Sequence, residues 1–449
     1  MALSLPLAGS CGSALLRLVR MIASYRFVFA LAPLLFVSAA AAEPFLLADA
    51  QTGEVLLQSD ATAPWFPAST TKLMTTYVAL SAVRDGRLTM DTPLTMSARA
   101  ARSAPSKMGF RPGTLVTLDN ALKMLMVKSP NDVAVMVAES LSGSVEAFAA
   151  EMNAAATKLG MRESHFVNPN GLHDADHYSS ARDMAVLARA LLREFPDQAD
   201  LFAIGELQLG AQIIRNHNGM LGRYPGADGM KTGFTCPAGW NIVATAQRNG
   251  RRLIAVVFGA PSPRVRNDEA ALLFDRGFDL SAGGQRLEAL PAAASNAPPD
   301  MRDKICRGRG KARMLAMQED FVAAMANAPG GDAPGAAPGL MSMAMEAPPH
   351  SVALSTERVA FTPVAVFVGP KPGWDGPVLA TRDAPPETSP TVSAFAADKE
   401  ASRPEESAKA ALSSSVKPVA RLRRLRGTPE TRARISAAAQ RVAAKKPLK

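Results

Sequence analysis

Between residues 43 and 283 the hydrophobic pattern changes period twice, and this limits the possible folds more than any other feature of the chain. Phe45-Leu46-Leu47-Ala48-Asp49 and Glu54-Val55-Leu56-Leu57 flank a Gln51-Thr52-Gly53 turn, which reads as a β-hairpin. From Ser69 the apolar residues recur at helical spacing. After a stretch from Pro93 to Pro112 that reads mostly as loop, Thr117 caps a helix carrying Leu118, Leu122, Leu125 and Met126. Ser129-Pro130-Asn131-Asp132 interrupts it. A proline disfavours helix for the residue before it and suits the first turn of a new helix, here running to about Leu141. Further helices are expected from Val145 to Leu159, ending at Gly160, and from a Ser180 to Asp183 capping box as far as Phe195. The period then shortens. Leu207 to Ile214, Met230 to Thr235, Trp240 to Gln247 and Arg252 to Gly259 read as strands, and Asp268 to Phe278 as a closing helix. Strands at both ends with helices between them predict a mixed α/β (α+β) fold: an antiparallel sheet flanked by helices, with an inserted all-helical lobe.

The residues before this stretch do not belong to its core. Arg17, Arg20 and Arg26 precede an apolar run from Phe27 to Val37 and then Ser38-Ala39-Ala40-Ala41-Ala42. That order is the charged, apolar and small-residue pattern of a secretory signal spanning residues 1–42, with cleavage after Ala42. The apolar run is about half the length a membrane-spanning helix needs. Met21 is an alternative start. The expected location is therefore the periplasm or cell envelope. Two cysteines, Cys236 and Cys306, follow the signal, and the sequence leaves a disulfide and two free thiols both open.

Beyond residue 283 the organisation thins. Residues 284–358 read as a Pro-, Ala- and Gly-rich linker, 359–379 hold one short strand within Val359 to Val368, and 380–416 read as disordered. Residues 417–449 form a basic tail with a helix start at Thr428-Pro429. This tail carries eleven Lys and Arg against one Glu, so it accounts for the whole net charge of +10 and the body is balanced. The basic surplus therefore says nothing about the body's substrate.

Three short motifs lie in the folded stretch. Pro67-Ala68-Ser69-Thr70-Thr71-Lys72 opens a helix, and Ser69 and Lys72, three apart, share a face and can touch. A serine hydroxyl is a weak nucleophile until a base takes its proton. A lysine does so only when burial or a second cation keeps it neutral. A second S-x-x-K, Ser414 to Lys417, lies in low-complexity sequence, so the spacing alone decides nothing. Ser129-Pro130-Asn131 falls at a helix–helix turn and Lys231-Thr232-Gly233 on a strand. Singly each has a bland reading; together, in this order and these contexts, they are specific.

On these motifs the sequence resembles the penicillin-binding-protein superfamily, and within it the low-molecular-mass serine-type D-alanyl-D-alanine carboxypeptidases. The likeness covers about residues 43–280. It extends to Ser106-Lys107-Met108-Gly109, Asn168-Pro169-Asn170-Gly171-Leu172, Tyr178-Ser179-Ser180-Ala181-Arg182-Asp183-Met184 and Asp228-Gly229-Met230-Lys231-Thr232-Gly233. The resemblance implies that Ser69 attacks the carbonyl between the last two D-alanines of a peptidoglycan stem peptide. Lys72 would act as its base, and Ser129 would relay a proton to the leaving amine. Asn131 would position substrate and Lys72, and Lys231 would help keep Lys72 neutral. Thr232 and Arg266 would hold the terminal carboxylate, Gly233 would admit the substrate close to the strand, and the N–H groups of Ser69 and Phe234 would form the oxyanion hole. β-Lactam antibiotics would trap the acyl-enzyme. Relatives often carry a polar residue where Phe234 stands, and Cys236 would share its side of a regular strand.

Other classes fit less well. A serine β-lactamase commonly places a Glu base between the second and third motifs, and no E-x-x-L-N segment occurs there. A DD-endopeptidase of the same fold stays open. His173 and His177 are four apart, but in a loop with Gly171, Asp174 and Asp176 rather than on a helix, so neither metal nor other cofactor is expected. Intact Ser69, Lys72 and Lys231 argue against a non-catalytic wall-binding protein. The basic tail lacks large apolar residues, since Ile435, Val442 and Leu448 are isolated among alanines. It predicts a reversible electrostatic hold on anionic lipid or wall polymer, with a solubilising tail as the alternative and nucleic acid excluded as a partner.

Overall fold

The computed structural model describes residues 43–281, 284–293, 297–307 and 354–379. The signal stretch, the 380–416 stretch and the basic tail lie outside the described residues.

The chain enters through the expected hairpin, β1 (Phe45–Asp49) and β2 (Val55–Ser59). Asp49 builds the turn, its carboxylate accepting the N–H groups of Gln51 and Thr52. A short 3₁₀ turn over Ala68–Thr71 then leads into α1 (Lys72–Arg84), which is buried from Lys72 through Leu80. A helix covered on every side belongs at the centre of a lobe rather than on its surface, and α1 is that centre.

The stretch after α1 is more ordered than its sequence suggested. β3 (Pro93–Thr95) pairs antiparallel with β4 (Leu115–Thr117), and one helical turn, α2 (Ala98–Ala101), lies between them. Strands of three residues are too short for a two-residue period to register. The helical lobe then follows the sequence closely. α3 (Leu118–Val127) is capped by the Thr117 hydroxyl, and α4 (Asn131–Ser142) begins directly after Pro130. α5 (Val145–Leu159) is capped by Ser144 and ended by Gly160 in the left-handed conformation. α6 (Ala181–Glu194) takes its cap from Ser180.

After a single turn, α7 (Asp200–Ala203), the segment read as one strand from Leu207 to Ile214 is instead a tight hairpin. β5 (Glu206–Leu209) and β6 (Gln212–Arg215) fold back at Gly210, whose φ is +56°. Three long strands follow: β7 (Ala227–Thr235), β8 (Gly239–Arg248) and β9 (Arg251–Ala260). α8 runs over Pro263–Asp279 and so starts five residues before the expected Asp268. Ser262 caps it and Pro263 takes its first position, while its polar opening turn hides the helical period.

The main sheet is antiparallel throughout, in the order β2-β1-β9-β8-β7. One face, with Phe45, Leu47, Ile242, Ala244 and Val257, packs on Ala270, Leu273 and Phe274 of α8. The opposite face, with Leu46, Val243, Ile254 and Val256, joins the core of the helical lobe. Apolar residues on both faces of the strands are what a sheet sandwiched between helices requires. β7 is left as an edge strand beside the lobe.

Two later segments pack on this body. Residues 284–307 belong to the stretch read as linker, yet Leu287, Leu290 and Met301 are buried, and α9 (Arg302–Ile305) carries the chain to Cys306. Cys306 is disulfide-bonded to Cys236, with Cα atoms 5.7 Å apart. Three anchor residues in Pro- and Ala-rich sequence leave no periodic signal. β10 (Val364–Val366) pairs parallel with β5, which makes the hairpin a three-stranded sheet. Its flanks bond Gly222, Leu115 and Pro93, so residues 354–379 tie the hairpin region to the helical lobe.

Candidate active site

The helical lobe and the edge strand β7 enclose a cleft of about 550 Å³, lined by Ser69, Ser129, Asn131, Thr232, Gly233 and Arg266 among others. All three sequence motifs therefore meet in one place. Ser69 sits in the 3₁₀ turn and Lys72 is the first residue of α1. Thr70 Oγ1 donates to Pro67 O at 2.8 Å, and Asn241 Nδ2 on β8 donates to Phe66 O at 2.9 Å, so the turn is fixed to itself and to the sheet.

Lys72 is fully buried, and its Nζ lies 3.0 Å from Ser69 Oγ, 2.8 Å from Asn131 Oδ1 and 2.7 Å from the Asn170 carbonyl. Burial, and then the charge of Lys231, hold its amine well below the usual lysine range, with Asp132 opposing. A neutral amine has two hydrogens and one lone pair. In that neutral form, hydrogens directed at the two carbonyl oxygens would leave the lone pair facing the Ser69 hydroxyl. The orientation of the Asn131 amide is fixed independently, because its Nδ2 donates to Ala104 O and Pro105 O.

Ser129 stands where α3 gives way to α4, with φ at +60°, in the left-handed region. Its Oγ is buried and has no hydrogen-bond partner among the described residues. A buried hydroxyl left unpaired at a cleft is available to a bound ligand. Lys231 is buried on β7; its Nζ donates to Thr232 O at 2.8 Å. Its pKa falls to about 7, first through burial and then through Arg266. Arg266 is itself buried at the start of α8, and both its Nε and Nη2 donate to Asn267 Oδ1. Arg266 and Thr232 thus line the cleft, with the Lys231 amine buried next to Thr232 on β7, an arrangement suited to a carboxylate.

β7 passes very close to the Ser69 turn. A Cβ added to Gly233 would stand 2.8 Å from Ser69 N and 2.9 Å from Pro67 O. Phe234, next along the strand, is 38% exposed and stacks on Trp240 with ring centroids 4.1 Å apart. Cys236 lies beyond the end of β7, at the turn into β8, and is tied to Cys306 rather than free.

Four groups at the site were not assigned roles from sequence. Asn170 supplies a backbone carbonyl to Lys72, in a loop where Asn168 Oδ1 accepts the N–H groups of Asn170 and Gly171. Main-chain acceptors leave no side-chain signature. Asp132 accepts the N–H groups of Met108 and Gly109, pinning the segment whose Pro105 and Ser106 line the cleft. Its position directly after Asn131 was the available signal. His217 and Trp240 also line the cleft, and no local pattern marked either.

The two histidines at four-residue spacing face different partners. Val167 N–H donates to His177 Nδ1, so Nε2 carries the hydrogen and donates to Thr71 Oγ1 at 2.8 Å. His177 is buried, which lowers its pKa to about 3. The His173 ring packs edge-on against Phe66. Among the described residues no three His, Cys, Asp or Glu side chains group to hold a metal ion.

The sequence profile of the D-alanyl-D-alanine carboxypeptidases (peptidase family S11) matches residues 32–262. D-alanyl-D-alanine carboxypeptidase DacF of Bacillus subtilis is 35% identical over 242 residues, covering 53% of this chain and 62% of that protein. DacD of Salmonella typhimurium is 33% identical over 291 residues, covering 63% and 73%. The chain thus spans under two thirds of some curated relatives and more of others. Penicillin-binding protein 5 of Haemophilus influenzae superposes with a TM-score of 0.51 at 33% identity, over 55% of this chain and 75% of that one. With the profile covering half of the chain and the nucleophile, amide and strand motifs gathered in one cleft, the chain belongs to the D-alanyl-D-alanine carboxypeptidase family.

Proposed function

We propose that the protein is a serine-type D-Ala-D-Ala carboxypeptidase that trims the terminal D-alanine from peptidoglycan stem peptides through an acyl-enzyme. One observation carries this reading: the fully buried Lys72 Nζ lies 3.0 Å from Ser69 Oγ while it also meets Asn131 Oδ1 at 2.8 Å and the Asn170 carbonyl at 2.7 Å.

In this mechanism Lys72 takes the Ser69 proton as Oγ attacks the penultimate carbonyl. The Ser69 and Phe234 N–H groups receive the developing oxyanion; one such donor is worth about a hundred- to a thousand-fold in rate. Ser129, its hydroxyl unpaired among the described residues, passes a proton to the leaving amine, while Thr232, Lys231 and Arg266 hold the terminal carboxylate. Water then releases the acyl group. A β-lactam presents the same carbonyl and carboxylate, so it acylates Ser69 and is released slowly.

The leader sequence supports export across the inner membrane, and the basic composition of 417–449 supports a salt-sensitive hold on anionic lipid or wall polymer.

Incubation with a fluorescent penicillin followed by peptide mapping tests the mechanism. One label per chain on Ser69, absent in Ser69→Ala, together with D-alanine release from a pentapeptide ending in D-Ala-D-Ala, is the expected result. Rapid turnover of the drug would make the protein a β-lactamase. Cleavage of cross-linked dimers in place of pentapeptide would make it an endopeptidase.

A further inference from the structure

An exposed phenylalanine stacked on a tryptophan at the rim of a polar cleft calls for an explanation, because large apolar surface left open beside a binding site is usually there to be covered. Phe234 and Trp240 face each other across the β7–β8 pair, and both line the cleft. Side chains alternate along a strand, so Phe234 lies on the same face of β7 as Thr232, two residues earlier. That is the α8 face: Trp240 packs against the cluster that includes Phe274 and Leu273, and Pro263 and Arg266 at the start of α8 line the same part of the cleft.

The shelf is also held rigidly. The turn that follows it is joined to Cys306 by the disulfide, Pro237 O accepts the Met301 N–H, and Ala238 O accepts Trp65 Nε1 at 2.8 Å.

If Thr232 and Arg266 hold the terminal carboxylate, the Cα that bears it also bears the side chain of the leaving residue. The two groups diverge from one atom, so that side chain lies against whatever follows Thr232 on its strand face. We propose that the Phe234 ring, backed by Trp240, is the specificity wall for the leaving D-amino acid, and that the enzyme releases apolar terminal residues larger than alanine. Among the described residues no Asp or Glu lines the cleft, whereas Arg266 does, so a cationic leaving side chain meets repulsion and no partner. The substrate class is thus extended to stem peptides ending in aliphatic D-amino acids. This rests on the carboxypeptidase reading above.

The test uses diacetyl-L-Lys-D-Ala-D-Xaa peptides with D-Ala, D-Leu or D-Lys at the end, comparing kcat/KM for amino-acid release by wild type, Phe234→Ala and Trp240→Leu. Phe234→Ala keeps the backbone N–H. The wild type is expected to process D-Leu within about threefold of D-Ala and D-Lys at least about thirtyfold more slowly. Phe234→Ala is expected to lower the D-Leu to D-Ala ratio by about tenfold and Trp240→Leu by less, since the wall loses its apolar contact. A ratio taken within one variant does not depend on how much of it is folded. Release of D-Ala with D-Leu refused by the wild type, or an unchanged ratio in Phe234→Ala, overturns the inference alone. A wild type that releases neither, and whose Ser69 does not react with penicillin, overturns the carboxypeptidase reading and the inference with it.

Discussion

Replacing Gly233 by alanine adds a single methyl group at the closest approach between the edge strand and the nucleophile turn. The new Cβ would lie 2.8 Å from Ser69 N, 2.9 Å from Pro67 O and 3.0 Å from Thr70 N, all backbone atoms. Ordinary contact begins near 3.4 Å, so strand and turn must separate by roughly 0.6 Å. Neither side yields easily, since Asn241 ties Phe66 O and Pro67 O to β8 and Thr70 closes the turn on itself. Overpacking of this kind costs about 1–3 kcal/mol, which in a body of this size lowers Tm by several degrees. The larger effect is on rate. Ser69 N is one of the two proposed oxyanion donors, and the other belongs to the residue after Gly233, so the separation pulls the pair apart. Misplacement on this scale removes most of one donor's contribution, about a hundredfold. The assay is the second-order rate of Ser69 acylation by a fluorescent penicillin, with a thermal melt run alongside. Acylation within about threefold of wild type, at an unchanged Tm, would refute both the close approach and the placement of the oxyanion hole.

Other expectations follow from neighbouring features. The Cys236–Cys306 bond closes a loop 70 residues apart in sequence, so the Cys236→Ser, Cys306→Ser double variant should lose up to about 4 kcal/mol in urea unfolding; a loss below about 1 kcal/mol would mean the buried contacts of 287–301 hold that segment unaided. Lys231 has a folded pKa of about 7 against 10.5 when solvated, so the folded state binds fewer protons between those values and stability rises with pH across that window. Lys231→Met should therefore gain about 2 kcal/mol less than wild type between pH 7.5 and 9, and an identical gain would place Lys231 in solvent.

The helical lobe was legible because its signals are local. Thr117, Ser144 and Ser180 cap helices at the boundaries where period and composition change, and Gly160 ends one. The long strands β7, β8 and β9 were legible for a similar reason, since each has nine or ten residues. What escaped depends on tertiary partners. β3 and β4 are strands only because they find each other, and β5 pairs with a segment more than 150 residues away. The same division runs through the site. Ser69 with Lys72, Ser129 with Asn131, and Lys231 with Thr232 are short-range spacings that can be read along the chain. The Asn170 carbonyl, Asp132 as clasp of the 104–109 segment, and Trp240 behind Phe234 act through distance in space, and their residue types announce nothing.

The left-handed backbone at Ser129 sets activity against stability. Glycine reaches that conformation without steric penalty, whereas serine pays for it, so Ser129→Gly should raise the unfolding free energy by up to about 1 kcal/mol while removing the hydroxyl proposed to deliver a proton to the departing amine. A variant library screened for thermal resistance alone would enrich glycine there.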